Sequence, residues 1–229
     1  MAKKSNSKSF ERWTIDAVRQ NLGLTESFHH PALQRILKTK PNLSPEDAEF
    51  VRFHQENLLR HITRWNEQEL QVFFIGHILA MVNFENEAAE YRAFMQRQLT
   101  ATIDDITLTG RVDFMVATGY GEPQQPYFFL HEYKKERGID NDPLAQLLAS
   151  MVAAQHLNDS PKLLYGCYVL GRNWFFVILD EKTYSVSDAF VATSEDLANI
   201  VTILREVAEI IRVTVEAKMK ERRKTERKP

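Results

Sequence analysis

Between Asp142 and Leu157 the chain carries a well-started helix with almost no polar face. Asp142-Pro143 supplies an N-cap and a first-turn proline, the usual opening of a helix. Leu144, Leu147, Leu148, Met151, Val152 and Ala153 follow among small residues. A helix that is apolar nearly all round has to be covered on nearly all sides. The cover is at hand in the neighbouring segments. Tyr127–Lys134 precedes the helix; Leu163–Leu170 and Trp174–Leu179, joined by Gly171-Arg-Asn173, follow it. All three read as apolar β-strands. A buried helix set between such strands predicts an α/β fold, a mixed β-sheet flanked by helices on both faces.

The rest of the chain decorates that core. Residues 1–9 are rich in Lys and Ser and predict disorder. Residues 10–43 read as short helices anchored by Phe10, Trp13, Ile15, Val18 and Leu22, with a stop at Asn21-Leu-Gly23. Ser44-Pro-Glu-Asp47 predicts a helix start with an acid at the capping-box position. That helix carries Phe50, Val51, Phe53, Leu58, Leu59 and Ile62 up to a break at Trp65-Asn66. Asn66 then caps a second helix from Glu67 to about Val82, with Leu70, Phe73, Phe74, Ile78 and Met81 as its apolar face. From about Phe94 the period becomes two. Gln96–Ile103 and Ile106–Thr109 predict strands around an Asp104-Asp105 turn, and Gly110–Ala117 predicts another before Gly119-Tyr-Gly-Glu-Pro123. Ser194 opens a long helix with Leu197, Ile200, Val201, Leu204, Val207, Ile211 and Val215 on one face. The expected organisation is an N-terminal helical extension (1–65), a core (66–192) and a C-terminal amphipathic helix with a basic tail (193–229).

At 229 residues the chain suits one domain with additions. A net charge of -2 excludes a uniformly basic nucleic-acid coat. Basic residues instead gather at the C-terminus, from Lys218 and Lys220 through Arg222, Arg223, Lys224, Arg227 and Lys228. Cys167 is the sole cysteine, which excludes an internal disulfide and a cysteine zinc cluster. The histidines show no metal-ligand spacing. No signal-peptide h-region and no apolar run of bilayer length is visible, so the expectation is a cytoplasmic protein without a membrane partner.

Three charged residues stand on the apolar strands: Asp113, Glu132 and Lys134. A buried strand accommodates an isolated charge poorly. Period-two alternation puts Glu132 and Lys134 on one face, and Asp113 sits beside Glu132 if the strands pair in register. Two carboxylates with backbone carbonyls and water make a hard oxygen site suited to Mg²⁺ or Mn²⁺. Such an ion lowers the pKa of water and offsets charge on a phosphate, and a neighbouring lysine orients the water or stabilises the developing charge. Phosphodiester hydrolysis follows. Ion pairs of Glu132 with Lys134 and of Asp113 with Arg111 would account for the same residues structurally.

Val112-Asp113, 18 intervening residues and Glu132-Tyr-Lys134 resemble the PD-(D/E)XK nuclease superfamily. The order of helix, three strands, helix and strand over about 66–180 also resembles its restriction-endonuclease-like core. Val112 replaces the name-giving proline, at a position that varies in that superfamily. The resemblance implies Asp113 and Glu132 as metal ligands and Lys134 as the residue assisting the attacking water. It also implies a glutamate on the first core helix. Glu67, phased three before Leu70 and seven before Phe74, is preferred for the metal, and Glu69 for the helix cap. Dipole complementation accounts for either. Gln146, 12 residues after Lys134, matches a glutamine that some members use to position the site; an exposed first turn explains it equally well. Lys135, Arg137 and Arg172 are candidates for phosphate-backbone contact, as is the basic tail, which also suits a solvated helix end. The leading expectation is a metal-dependent nuclease acting on DNA. The alternative is a non-catalytic nucleic-acid-binding or assembly module, with a homodimer through the C-terminal helix. A hydrolase of small phosphoesters stands third, without a Gly-rich phosphate loop.

Overall fold

The computed structural model describes residues 6–134, 142–158 and 163–226, with backbone alone at 6, 129–134, 222–224 and 226. The chain begins with β1 (Asn6–Ser9), a 3-10 turn (Phe10–Arg12), α1 (Ile15–Leu22), β2 (Thr25–Glu26), α2 (Pro31–Leu37) and α3 (Pro45–His61). A helical run follows, made of α4 (Glu67–Leu70), a π-helical stretch (Gln71–Ile75) and α5 (Gly76–Ala80). The hairpin β3 (Tyr91–Ile103) and β4 (Ile106–Thr118) comes next, then β5 (Pro126–Lys134), α6 (Pro143–Leu157), β6 (Leu163–Leu170) and β7 (Asn173–Asp180). The described chain closes with β8 (Thr183–Val186), β9 (Phe190–Val191) and α7 (Asp196–Glu226).

The described strands form one nine-stranded mixed sheet in the order β1-β4-β5-β6-β7-β8-β2, with β3 on β4 and β9 on β7. β5 and β6 are parallel and α6 is their crossover; β4–β5 and β6–β7 are antiparallel. α6 lies against one face together with Phe10, Trp13, Val18 and Leu22. The other face carries Phe74 and Ile78 of the α4–α5 run and the α7 residues Leu197, Ile200, Val201, Leu204, Val207, Ile211 and Val215. The α/β fold, the helices on both faces and the long C-terminal helix are as expected. The apolar face of α7 is used inside the chain, so the feature that suggested pairing through it is accounted for by the core.

The N-terminal segment departs from its reading. Asn6–Ser9, expected to be disordered, pairs in parallel with Ile106–Thr109, and Thr25–Glu26 pairs with Thr183–Tyr184. The segment expected as a helical extension therefore also supplies strands at both sides of the sheet. Polar Asn-Ser-Lys-Ser has no alternation to read; its pairing follows from Phe10 and Trp13, which are buried and anchor it. Gly110 makes the room: a Cβ there would stand 2.5 Å from the Phe10 ring.

Caps hold where expected. Gly23 closes α1 at φ +69, and the Ser44 hydroxyl accepts from Asp47 N–H at 3.1 Å. The Asp47 carboxylate pairs with Arg205 of α7 at 2.8 Å, and the Ser44 backbone N–H also acts on it, as expected of the capping-box position. α3 buries Val51, His54 and Leu58 but leaves Phe50, Phe53 and Leu59 exposed, a narrower buried side than its sequence suggested. The π-helical stretch re-phases the next helix. Phe74, Ile75, Ile78 and Leu79 turn inward while Val72 and the expected core residue Phe73 turn out, because a π turn holds more residues than an α turn. Ile106–Thr109 and Gly110–Ala117 are one continuous strand, since β1 and β5 occupy successive halves of the same β4 edge.

Candidate active site

The β4–β5 ladder pairs Val116 with Phe128, Met115 with Phe129 and Phe114 with Leu130. Its last rung is Phe114–Leu130, and Asp113 is the next residue of β4. Past Leu130, β5 continues against β6, with Tyr133 opposite Val169 and Lys134 opposite Leu170. Because the two strands are antiparallel, Asp113 on one and Glu132 and Lys134 on the other leave the ladder at the same end. The β5–β6 register slips by one between His131 and Tyr133. Such a bulge sets two residues against one and re-aims the strand. The shared face expected for Glu132 and Lys134 assumed unbroken alternation, and the side chains of 129–134 lie outside the described residues.

Asp113 sits at a second irregularity. Its Oδ1 accepts a hydrogen bond from Gln96 Nε2 at 2.7 Å, and Gln96 has φ +53. Phe94 and Met115 pair and share the α6 face, as do Ala101 and Leu108. The inward positions on β4 therefore run Leu108, Val112, Met115, Ala117, and those on β3 run Phe94, Leu99, Ala101. Both series contain an odd step. The hairpin thus changes phase at the Gln96–Asp113 pair, where a left-handed residue in one strand turns both strands over. A non-glycine residue there is strained by about 1–2 kcal/mol. Gln96 was not anticipated as part of this site. The signal for it was the five-residue step from Phe94 to Leu99, which a regular strand cannot make.

α4, which carries Glu67, packs against β5, the strand of Glu132 and Lys134. Glu67 is exposed and does not lean towards the buried face. Glu69 serves the cap as expected: its carboxylate accepts from Asn66 N–H at 2.7 Å, and Asn66 Oδ1 accepts from Glu69 N–H at 2.9 Å. Gln146 is 2% exposed, so an exposed first turn does not explain it. Its Nε2 makes no hydrogen bond among the described residues. The helix end carrying it is fixed by Asp142, whose Oδ1 accepts from Ala145 N–H at 3.0 Å and whose Oδ2 accepts from Ile15 N–H at 2.9 Å. One carboxylate thereby caps both α6 and α1.

Arg172 lies in the turn after β6, two residues beyond Leu170, and so stands at the Lys134 end of the sheet. Its carbonyl accepts from Ala192 N–H at 2.8 Å. Lys135 and Arg137 lie outside the described residues. Lys218, the first residue of the basic tail, stands elsewhere. Lys218 Nζ donates to the Tyr127 hydroxyl at 3.3 Å and stands 5.2 Å over its ring. Tyr127 is near the start of β5, roughly 23 Å of strand from Lys134 at ~3.3 Å per residue.

Among the described residues no group of three His, Cys, Asp or Glu could hold a metal ion, and Glu132 is not among the side chains described. The Asp113 carboxylate is a hard oxygen donor, of the kind that suits Mg²⁺ or Mn²⁺ rather than a soft metal. No helix of the described residues is long and apolar enough to cross a membrane. The chain matches no protein-family model, and no curated protein matches it.

Proposed function

We propose that this chain is a metal-dependent nuclease of the PD-(D/E)XK type that hydrolyses DNA phosphodiester bonds. The observation that carries the reading is the backbone arrangement at the end of the β4–β5 ladder, from which Asp113 leaves on one strand and Glu132 and Lys134 on the other. Asp113 and Glu132 would hold Mg²⁺ or Mn²⁺, with Glu67 as a third carboxylate; the ion would supply charge neutralisation at the phosphate and a more acidic water. The Lys134 ammonium orients the attacking water or stabilises charge on the phosphorane. Gln96 fixes the Asp113 carboxylate through its amide, and the buried Gln146 positions the same end of the sheet. Lys135, Arg137 and Arg172 are the proposed phosphate contacts.

The test is cleavage of a DNA panel with Mg²⁺ and with Mn²⁺, alongside Asp113→Ala and Lys134→Ala. Activity that survives both substitutions would remove the site. A non-catalytic DNA-binding module would instead show salt-dependent binding without metal uptake in calorimetry. A homodimer remains part of that second reading only through a surface other than the buried face of α7.

A further inference from the structure

We propose that two copies of this chain pair about a two-fold axis through the outward face of α3 and the ring-bearing face of the α4–α5 run beside it. The inference stands apart from the nuclease reading, and its test needs no substrate.

Val51 and Leu58 turn one side of α3 to the core. The opposite side follows at helical spacing: Glu46, Glu49, Phe50, Phe53, Glu56 and Arg60, all exposed. Phe53, at the middle of this stripe, is 64% exposed. The chain turns back after α3, and the π-helical stretch and α5 lie alongside it. There Phe73 is 48% exposed and meets Trp65 at 5.9 Å. His77, one turn on from Phe73, stacks on His54 at 4.6 Å. His54 in turn touches Phe50 at 4.3 Å and Phe53 at 5.2 Å. The rings of Phe50, Phe53, His54, His77, Phe73 and Trp65 thereby make one face across two helices. Each is held by its neighbours, so little side-chain freedom is lost when the face is covered. Exposed aromatic rings with charged residues around them are the make-up of a protein–protein contact.

The charges identify the partner as a second copy. Glu46 and Glu49 stand at the N-terminal end of the stripe and Arg60 at the C-terminal end, with exposed Arg64 beyond it. Glu46 and Arg60 each lie seven residues from Phe53, ~10 Å along the helix at ~1.5 Å per residue. A two-fold axis at Phe53 lays α3 antiparallel on its copy, with Phe53 on Phe53 and Glu46 opposite the partner's Arg60. The stripe is its own complement, as a two-fold contact requires. Arg60 already pairs with Glu56 at 3.2 Å, and a guanidinium has donors enough to serve a second carboxylate. Glu46, Glu49 and Glu56 on the same face repel a phosphate strand or an anionic lipid surface. The face is about 25 Å long and ~20 Å wide, which gives ~1,000 Å² over two copies, the lower bound of a specific interface.

The experiment is sedimentation velocity of the full chain from about 1 to about 200 µM. A dimer with a dissociation constant on the order of 10 µM is expected, as suits a small interface. Phe53→Glu sets two carboxylates together on the axis and is expected to raise that constant at least about 100-fold, with the thermal midpoint kept in dilute solution. Phe73→Ser provides a second variant should the first fail to fold. The Glu46–Arg60 pair occurs twice across the axis, so Glu46→Arg and Arg60→Glu are each expected to weaken the dimer about ten-fold. The two together are expected to restore it to within about three-fold. A monomer throughout the range, a dimer indifferent to both Phe53→Glu and Phe73→Ser, or a double swap no better than either single one overturns the proposal. So does binding to a DNA duplex or to anionic vesicles that Phe53→Glu abolishes while the chain itself stays monomeric.

Discussion

Gln96 holds a left-handed backbone at the point where Asp113 needs a partner, and the two demands conflict in a way that mutation can separate. Gly relieves the backbone and loses the amide; Ala loses the amide and keeps the strain. Gln96→Gly is therefore expected to be more stable than Gln96→Ala by about 1 kcal/mol in urea denaturation. Equal stabilities would mean that the residue is not strained. Gln146 poses a similar conflict. Its buried Nε2 lacks a partner among the described residues, so Gln146→Met is expected to raise stability by about 1 kcal/mol and to lower cleavage if the amide positions the site. A destabilised variant would show that the amide is satisfied in solution. Asp113 was legible because a carboxylate among apolar strand residues needs a reason. The conformation of Gln96 was legible only as an odd spacing in two strands, since a polar side chain at a strand edge carries no mark of its φ.

Elements failed to follow the sequence where one segment alters the phase of another. Glu67 was placed by counting three residues to Leu70 and seven to Phe74, and the π-helical stretch breaks the second count. Helix ends were easier to read, because caps are local. Asp142 shows how far one cap reaches: its carboxylate serves α6 and α1 together. Asp142→Ala is expected to cost about 2 kcal/mol, twice a usual cap, measured by thermal denaturation. A loss near half of that would show that one of the two bonds contributes nothing. The contact of α3 with α5 carries a pH dependence. His54 stacks on exposed His77 at 4.6 Å and lies against Phe50 and Phe53. Burial first, then the His77 charge, holds its imidazole below the ordinary histidine range. The unfolded chain takes up a proton near pH 6.5, at about the free-histidine value, while the folded chain does not. Stability is therefore full above that pH and falls as pH drops through the lower folded value. His54→Phe is expected to flatten the decline between about pH 7 and about pH 5 in urea midpoints. An unchanged slope would place the titrating group elsewhere.

At the scale of the molecule, the layered α/β plan was legible because two helices announce their environment. α6 is apolar all round and must be enclosed, and α7 is apolar along one long stripe and must lie on something. β1 and β2 were not legible, since short polar strands are made by the edge they join rather than by their own residues. The basic tail was legible as charge, but not that its first residue, Lys218, stands against the start of β5, away from the candidate site. In the proposed function, the end of the β4–β5 ladder is a phosphodiesterase centre. The most direct measurement is Mg²⁺-dependent cleavage of single-stranded and duplex DNA by the full chain, Asp113→Ala and Lys134→Ala. Metal-dependent cleavage by the full chain, lowered at least about 100-fold by either substitution, is the result expected. Cleavage unaffected by both, or no cleavage of any DNA by the unmodified chain with either metal, would contradict it.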